Sequence, residues 1–353
     1  MKHKVAANMD ALRNEPVRAC APSRAQGPQL ALIGGGRDTV QLAKQFANLG
    51  ILAVICADDL QEFRDIEVTP LHAAENVVDR PDVTAVAITH ENPANLIRRA
   101  LSHGKDMYVH NGLGLSADEA EEAYASASRQ RRVLMLANPT SQHPAVQKLR
   151  QLGSVGALGK IVFVQVERIS TVELSASHLE DILTAVALIN DKPLDVACST
   201  GISGEQLHVN NSVSSVRFAD GRAAFVFASS VATLNDCRII AHANNNRTAI
   251  IREVEGKIRL HLFDGRVQAE VPHVVLEENV GSVIGLDAAE VHLQRLCREF
   301  FEHLKLRSIP GSASETLQLL RVTEACQRSR HLNGGHVTIE SFRGSFEENA
   351  PAV

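Results

Sequence analysis

The chain has 353 residues, enough for two domains that each bury a core, and its 44% hydrophobic and 22% charged content is that of a globular protein. Its net charge of -5 is spread without basic blocks, which gives no electrostatic reason to expect nucleic acid or a membrane surface, and no apolar run reaches the roughly 18 residues that span a bilayer. The six cysteines, Cys20, Cys56, Cys198, Cys237, Cys297 and Cys326, form no C-x-x-C pair, a pattern that fits reduced thiols in a cytoplasm better than disulfides or zinc.

Residues 1–27 mix lysine, arginine, proline and alanine without an apolar stretch, so they read as a flexible arm and not as a secretory signal. The apolar run Leu30 to Ile33 then breaks at Gly34-Gly35-Gly36 and resumes with helical spacing. This is a strand, a tight turn and a helix, the arrangement in which backbone amides and a helix N-terminus meet a pyrophosphate. Gly34 and Gly36 fill the first two places of G-x-G-x-x-G and Thr39 stands in the third. Val40 to Leu49 is a predicted helix stopped by Gly50, and Ile51 to Cys56 a predicted strand. Asp58 lies 22 residues beyond Gly36, near the spacing at which an acid meets the adenosine ribose diol.

The alternation continues through strands at Val83 to Thr89, Met107 to Val109 and Val133 to Leu136, with helices at Ala94 to Ser102 and Ala117 to Arg129. Strands separated by helices imply a parallel sheet whose ligands sit beyond the carboxyl ends of the strands. The residues placed there are Gly34 to Gly36, Asp58, Thr89-His90-Glu91, His110-Asn111-Gly112 and Asn138-Pro139-Thr140. Past residue 150 a strand at Ile161 to Val166 and a helix at Leu179 to Ile189 precede strands at Leu194 to Cys198, Ser212 to Phe218, Ala223 to Ser229, Arg238 to Ala243, Arg247 to Ile251 and Ile258 to Phe263. Without helices between them, those strands form an antiparallel sheet, with Asp220-Gly221 as a hairpin turn. Two amphipathic helices, Glu290 to Leu306 and Ser314 to His331, close the chain. The fold class is therefore α/β: an N-terminal Rossmann dinucleotide-binding domain over 28–145, an α+β domain with a large, mostly antiparallel open sheet over 146–345, and a tail at 346–353. Tyr108 and Tyr124 read as packing residues, Tyr108 preceding His110 too closely to share its site.

Several runs carry a resemblance. They are Ala100-Leu101-Ser102-His103-Gly104-Lys105, Pro144 with Leu149-Arg150, Gly156-Ala157-Leu158-Gly159-Lys160-Ile161, and His178-Leu179-Glu180-Asp181, the last an H-x-x-D at a helix start. On these the chain resembles the glucose-fructose oxidoreductase, inositol dehydrogenase and MocA family from about residue 28 onward. The resemblance implies a nicotinamide cofactor in the first domain, a substrate such as a sugar or cyclitol against the sheet, and a proton handled by the lysine of E-K-P, an aspartate, and a histidine four residues after it. Here those positions are Asn111 within His110-Asn111-Gly112, Leu174 and His178.

The principal expectation is an NAD(P)-dependent oxidoreductase with His178 as acid or base, His110 assisting, and Asn111 and Asp181 completing the catalytic set. An asparagine has no titratable proton, so Asn111 orients and does not donate. Cofactor contacts are assigned to Gly34, Gly35, Gly36, Arg37, Asp58, Thr89, His90 and Asn111. Asp58 and Asp59 repel a 2′-phosphate and favour NAD, while Arg37 keeps NADP as the alternative. A second reading is a family member that binds a nucleotide or metabolite as a sensor or scaffold. A third is a metal site among His90, His110, His143 and His178 with Glu91 and Asp181, although no H-x-x-H spacing supports it and no resident metal is assigned. The remaining partners expected are a small-molecule substrate and a second copy of the chain, joined through the C-terminal sheet as a homodimer or homotetramer.

Overall fold

The computed structural model of the chain describes residues 27–339 except 58–59, 64–65, 67–68, 72–73, 90–92, 111–114, 138–142, 171–176, 190, 204–207, 231–234, 255–256, 266–272, 283–285, 309 and 311–312. The tail, and the arm up to residue 26, lie outside the described residues.

Six parallel strands form the first sheet: β1 (Leu30–Ile33), β2 (Leu52–Cys56), β3 (Thr69–Leu71), β4 (Ala85–Ile88), β5 (Asp106–Val109) and β6 (Leu134–Leu136). Four of them, β1, β4, β5 and β6, are buried at every residue, as strands covered on both faces must be. Helices α1 (Gly36–Asn48), α2 (Ala74–Val78), α3 (Ala94–Ser102) and α4 (Ala117–Arg129) make the crossovers. A capping box starts α4: the Ser116 hydroxyl accepts from the Glu119 amide while the Glu119 carboxylate accepts from the Ser116 amide. The spatial order is β3-β2-β1-β4-β5-β6, so the direction of winding reverses between β1 and β4. That reversal opens a crevice at the carboxyl ends of β1 and β4, where ligands bind in such sheets.

Helix α5 (Pro144–Ser154) leads from β6 to the second sheet, whose strands are β7 (Ile161–Ile169), β8 (Pro193–Ser203), β9 (His208–Phe218), β10 (Ala223–Ser229), β11 (Asp236–Ala243), β12 (Arg247–Val254), β13 (Lys257–Asp264), β14 (His273–Ser282) and β15 (Val337–Thr338). Their order is β14-β13-β12-β11-β7-β10-β9-β8-β15. Every pairing is antiparallel except that of β7 with β10. Helix α6 (Ser177–Ile189) covers one face, where Val164, Val166, Val226 and Ala241 join Ile182, Leu183 and Val186 in a single core. On the opposite face the alternating residues Phe163, Phe225, Phe227, Ile240, Ile250 and Phe263 are half-buried.

The two closing helices return to the first domain. From α7 (Leu286–Leu306), Leu296, Cys297 and Phe300 pack with Phe46, Tyr108 and the β1 side chains. Helix α8 (Ala313–His331) serves both cores, with Leu317 and Leu320 in the first and Leu319, Val322 and Ala325 in the second. Its Arg321 donates to Asp118 at 2.6 Å and Glu121 at 3.3 Å, and its Glu324 accepts from the Ala117 amide at 2.7 Å. The cofactor edge of the parallel sheet is thereby held at a set place against the second domain.

Candidate functional site

Strand β1 delivers the chain to the glycine turn. The Gly34 amide donates to the Cys56 carbonyl at 3.0 Å, and Gly34 takes φ +150° and Gly36 φ +79°. A Cβ on Gly34 would lie 1.7 Å from Thr89 Oγ1, so this position admits only glycine. Gly35 caps α1 with extended backbone and no side-chain acceptor, which leaves the amides of the first turn without a side-chain cap, and Gly35, Gly36, Arg37 and Asp38 are exposed. The helix therefore begins at Gly36 and not at Val40 as its apolar spacing suggests, because glycine conformation and not hydrophobicity sets that end.

Thr39 is fully buried beneath the turn. Its hydroxyl donates to the Gly35 carbonyl at 2.7 Å, and the Thr89 hydroxyl lies 2.7 Å from Thr39 Oγ1. With one proton on each oxygen, Thr89 donates to Thr39, and the Ile33 carbonyl at 3.4 Å is its longer alternative. The residue in the third glycine place thus ties α1 to the ends of β1 and β4 without entering the space beside the glycines.

His110 follows β5 and donates its amide to the Ile88 carbonyl at 2.8 Å. Its ring stacks on Tyr108, with centroids 6.3 Å apart and planes 15° from parallel. Tyr108 packs as expected, wholly buried in a core, but it also meets His110: residues two apart on a strand share a face, and its hydroxyl lies 3.3 Å from His110 Nδ1. Burial pushes the Tyr108 hydroxyl well above its ordinary range, so it stays protonated and can donate to or accept from Nδ1, while Nε2 lies 3.9 Å from Asp38 Oδ2 on the first turn of α1. Burial lowers the His110 pKa and Asp38 opposes the change, so the imidazole is neutral at pH 7. Tyr124 packs as expected, 3% exposed in the first core.

His143 is the N-cap of α5, its Nδ1 accepting from the Ala145 amide at 3.2 Å. At the other end of α5, Leu149, Arg150 and Gly153 line a cavity of about 560 Å³ with Gly159 to Ile161 before and at the start of β7 and Leu188 and Ile189 at the end of α6. Arg150 also donates to the Ala187 carbonyl at 3.0 Å. The end of α6 and the start of β7 thus meet the end of α5. His178 is the second residue of α6, and its side chain lies outside the described residues. Asp181, one turn on and 2% exposed, has both carboxylate oxygens bonded to Arg168 of β7 at 2.7 and 2.6 Å. Sequence reasoning passed over Arg168, although it is a lone cation on the inward register of a strand whose other inward residues are valines.

Asp58, His90, Glu91 and Asn111 lie outside the described residues. Arg37 is exposed beside the glycines, and Thr89 sits beneath Gly34. Among the described residues no three histidine, cysteine, aspartate or glutamate side chains converge as a metal site would require.

No family model matches the chain. A stretch of 94 residues is 34% identical to dehydrogenase aclE of Aspergillus oryzae, covering 26% of this chain and a quarter of the length of that protein. Among solved structures, levoglucosan dehydrogenase in complex with NADH superposes with a TM-score of 0.73 at 16% identity, over 90% of this chain and all of that one. UDP-N-acetylglucosamine 3-dehydrogenase GnnA from Acidithiobacillus ferrooxidans gives 0.69 at 17% identity, over 87% and 99%. An NAD binding oxidoreductase from Klebsiella pneumoniae gives 0.71 at 14% identity, over 90% and 100%. These likenesses establish the fold: a Rossmann domain followed by a large open, mostly antiparallel sheet, arranged as in those dehydrogenases.

Proposed function

We propose that the chain is an NAD-dependent oxidoreductase of the glucose-fructose oxidoreductase, inositol dehydrogenase and MocA family, acting on a small polar metabolite such as a sugar, a cyclitol or a related carbonyl or imine. The observation that carries the reading is the uncapped turn Gly34 to Gly36 at the winding reversal of the parallel sheet. That turn fits a dinucleotide: Gly34 has no room for a side chain, Gly36 has open space around it, and the α1 N-terminus favours an anion. NAD is preferred to NADP on Asp58 and Asp59, and the NADH carried by levoglucosan dehydrogenase, a neighbour in fold, supports the choice. When bound, the nicotinamide supplies the hydride acceptor or donor.

The chain's own residues supply the rest. Gly34, Gly35, Gly36 and Arg37 hold the pyrophosphate, with Thr89 and His90 beyond β4 closing the crevice. Asn111 and His110 orient cofactor and substrate. His178 takes the proton from the substrate hydroxyl when the carbon is oxidised and returns it when a carbonyl is reduced. Asp181, held by Arg168, positions the turn that carries His178.

Titration with NADH tests the reading: enhanced nicotinamide fluorescence and a raised melting temperature are expected, and no response to either nicotinamide cofactor sinks it. Asn111 and Leu174 favour a second reading, nucleotide binding without turnover. NADH binding with no hydride transfer across sugars, cyclitols, keto acids and imines selects that one.

The outward face of the second sheet supports a homodimer or homotetramer, since β7, β10, β11, β12 and β13 each place half-buried phenylalanines or isoleucines on it among the described residues. Sedimentation at micromolar concentration is expected to give a dimer or tetramer, and a monomer counts against the assembly. A cytoplasmic location is supported by the described cysteines, none of which forms a disulfide. No helix among the described residues is long and apolar enough to cross a membrane.

A further inference from the structure

The third residue of α1 is an acid. Asp38 stands on the turn that offers its amides to an anion, its side chain 61% exposed beside Gly35, Gly36 and Arg37. By itself a carboxylate is favoured at that place, but the pyrophosphate assigned to the same turn carries charge of like sign, and the two repel. What answers Asp38 lies at the end of β5: His110 Nε2 is 3.9 Å from Asp38 Oδ2, in a side chain only 9% exposed. That separation suits an ion pair and is too long for a hydrogen bond. A neutral imidazole therefore compensates the carboxylate little, whereas an imidazolium compensates it directly.

The surroundings of the ring allow it a second proton. Tyr108 stays protonated and its oxygen can accept from Nδ1 at 3.3 Å, while Nε2 faces Asp38, so both N–H groups of an imidazolium have a partner. The neighbouring strands bring no charge: β4 runs out through Ile88 and Thr89, and β6 through Leu136 and Ala137. From α7, Phe300 packs on Tyr108, and Cys297 and Glu299 act on the Tyr108 hydroxyl. Burial lowers the His110 pKa, and among the described residues Asp38 is the charge that opposes it.

We propose that Asp38 and His110 are the charge-compensating pair of the dinucleotide site, His110 taking up a proton as the pyrophosphate settles on the α1 N-terminus, an inference that rests on the cofactor reading above. The proton comes from solvent and joins a ring nitrogen, and no bond to the cofactor forms or breaks. Added negative charge beside the ring favours its cationic form, so His110 holds its proton to higher pH with the dinucleotide than without it. By linkage, affinity for the dinucleotide rises as pH falls through the interval between the two midpoints. Burial puts the lower midpoint under the ordinary 6.5, so the interval is entered from neutrality downward.

The test is a calorimetric titration of the full chain with NADH in two buffers of different protonation enthalpy, which counts the protons taken up; no group of NADH itself titrates near neutrality. At about pH 6.5 the wild type is expected to take up about 0.3 proton or more, and its dissociation constant to tighten about threefold or more from about pH 8 to about pH 6. His110→Asn is expected to take up less than about 0.1 proton and to bind with a flat pH profile. Asp38→Asn is expected to bind about threefold or more tighter at about pH 8, where a neutral His110 leaves the carboxylate uncompensated, and to keep less of that advantage at about pH 6. A pair that served only to fasten α1 to β5 would move none of these proton counts. Wild type without uptake, His110→Asn with undiminished uptake, or Asp38→Asn that binds no better at the higher pH overturns the proposal. Should His110→Asn fail to fold, Asp38→Asn, an exposed position, decides by its pH profile. NADH that does not bind at all defeats the cofactor reading, whereas NADH that binds without proton uptake leaves that reading standing and defeats this inference alone.

Discussion

Gly34→Ala is expected to abolish NADH binding and to lower the melting temperature by about 6–12 °C, the shift that roughly 3 kcal/mol produces in a domain of this size. Two costs add. The new Cβ meets Thr89 Oγ1 at 1.7 Å and Thr89 Cβ at 3.0 Å, and Thr89 cannot withdraw without giving up its bond to Thr39. Overpacking of that kind costs about 1–3 kcal/mol, and φ +150° at a non-glycine residue adds about 1–3 kcal/mol of strain. Gly35→Ala is the matched control in the same turn, since its backbone is extended and nothing lies within 4 Å of its Cβ. It is expected to melt within about 2 °C of the wild type. Thr89→Ala should lessen the damage of Gly34→Ala, a coupling that thermal melts of the two single variants and the double variant measure. A Gly34→Ala protein that melts normally and binds NADH as before would remove the turn from the cofactor site.

That experiment bears on how much of the site could be read without coordinates. The cradle was legible because its elements are local: an apolar strand, glycines and a helix within twenty residues. The role of Thr39 was not. Its partner is 50 residues away across two strands, and the departure from a third glycine looks in sequence like a loss, while in the fold it is a tie beneath the loop. His110 shows the opposite case. Strand alternation already placed Tyr108 and His110 on one face, so their contact was available to sequence reasoning, but the neutral state of the imidazole depends on its burial, which only packing decides.

At the level of the fold, the alternation of strands and helices anticipated a parallel sheet followed by a large, mostly antiparallel one, yet the order β3-β2-β1-β4-β5-β6 and the parallel pairing of β7 with β10 arise from long-range contacts that periodicity does not carry. Strand β14 escaped because Glu277, Glu278 and Asn279 interrupt its alternation, and its pairing with β13 shifts register twice. Helix α5 had a signal that was passed over, a proline at its first position behind His143.

His178→Asn is expected to lower kcat by about 10²–10⁴, the usual worth of a positioned acid or base, while NADH affinity holds within about twofold. The size follows from elimination among the groups assigned to the site. Asn111 has no proton to exchange. His110 is kept neutral by burial with Nδ1 engaged by Tyr108, so it can donate a hydrogen bond but must overcome burial to take up a proton. Asp181 has both oxygens on Arg168. That leaves His178, a residue type suited to proton exchange near neutrality. His110→Asn is accordingly expected to cost about tenfold or less in kcat, and its clearer effect is on acid stability. A histidine whose folded pKa is depressed contributes stability that is present above the unfolded value of about 6.5 and is lost as pH falls through the lower folded value. His110→Asn should therefore flatten the decline in melting temperature over that acid range, whereas His178→Asn should act on turnover. If His178→Asn retains more than a tenth of the wild-type kcat, the proton travels by another group and His178 is no more than the start of a helix.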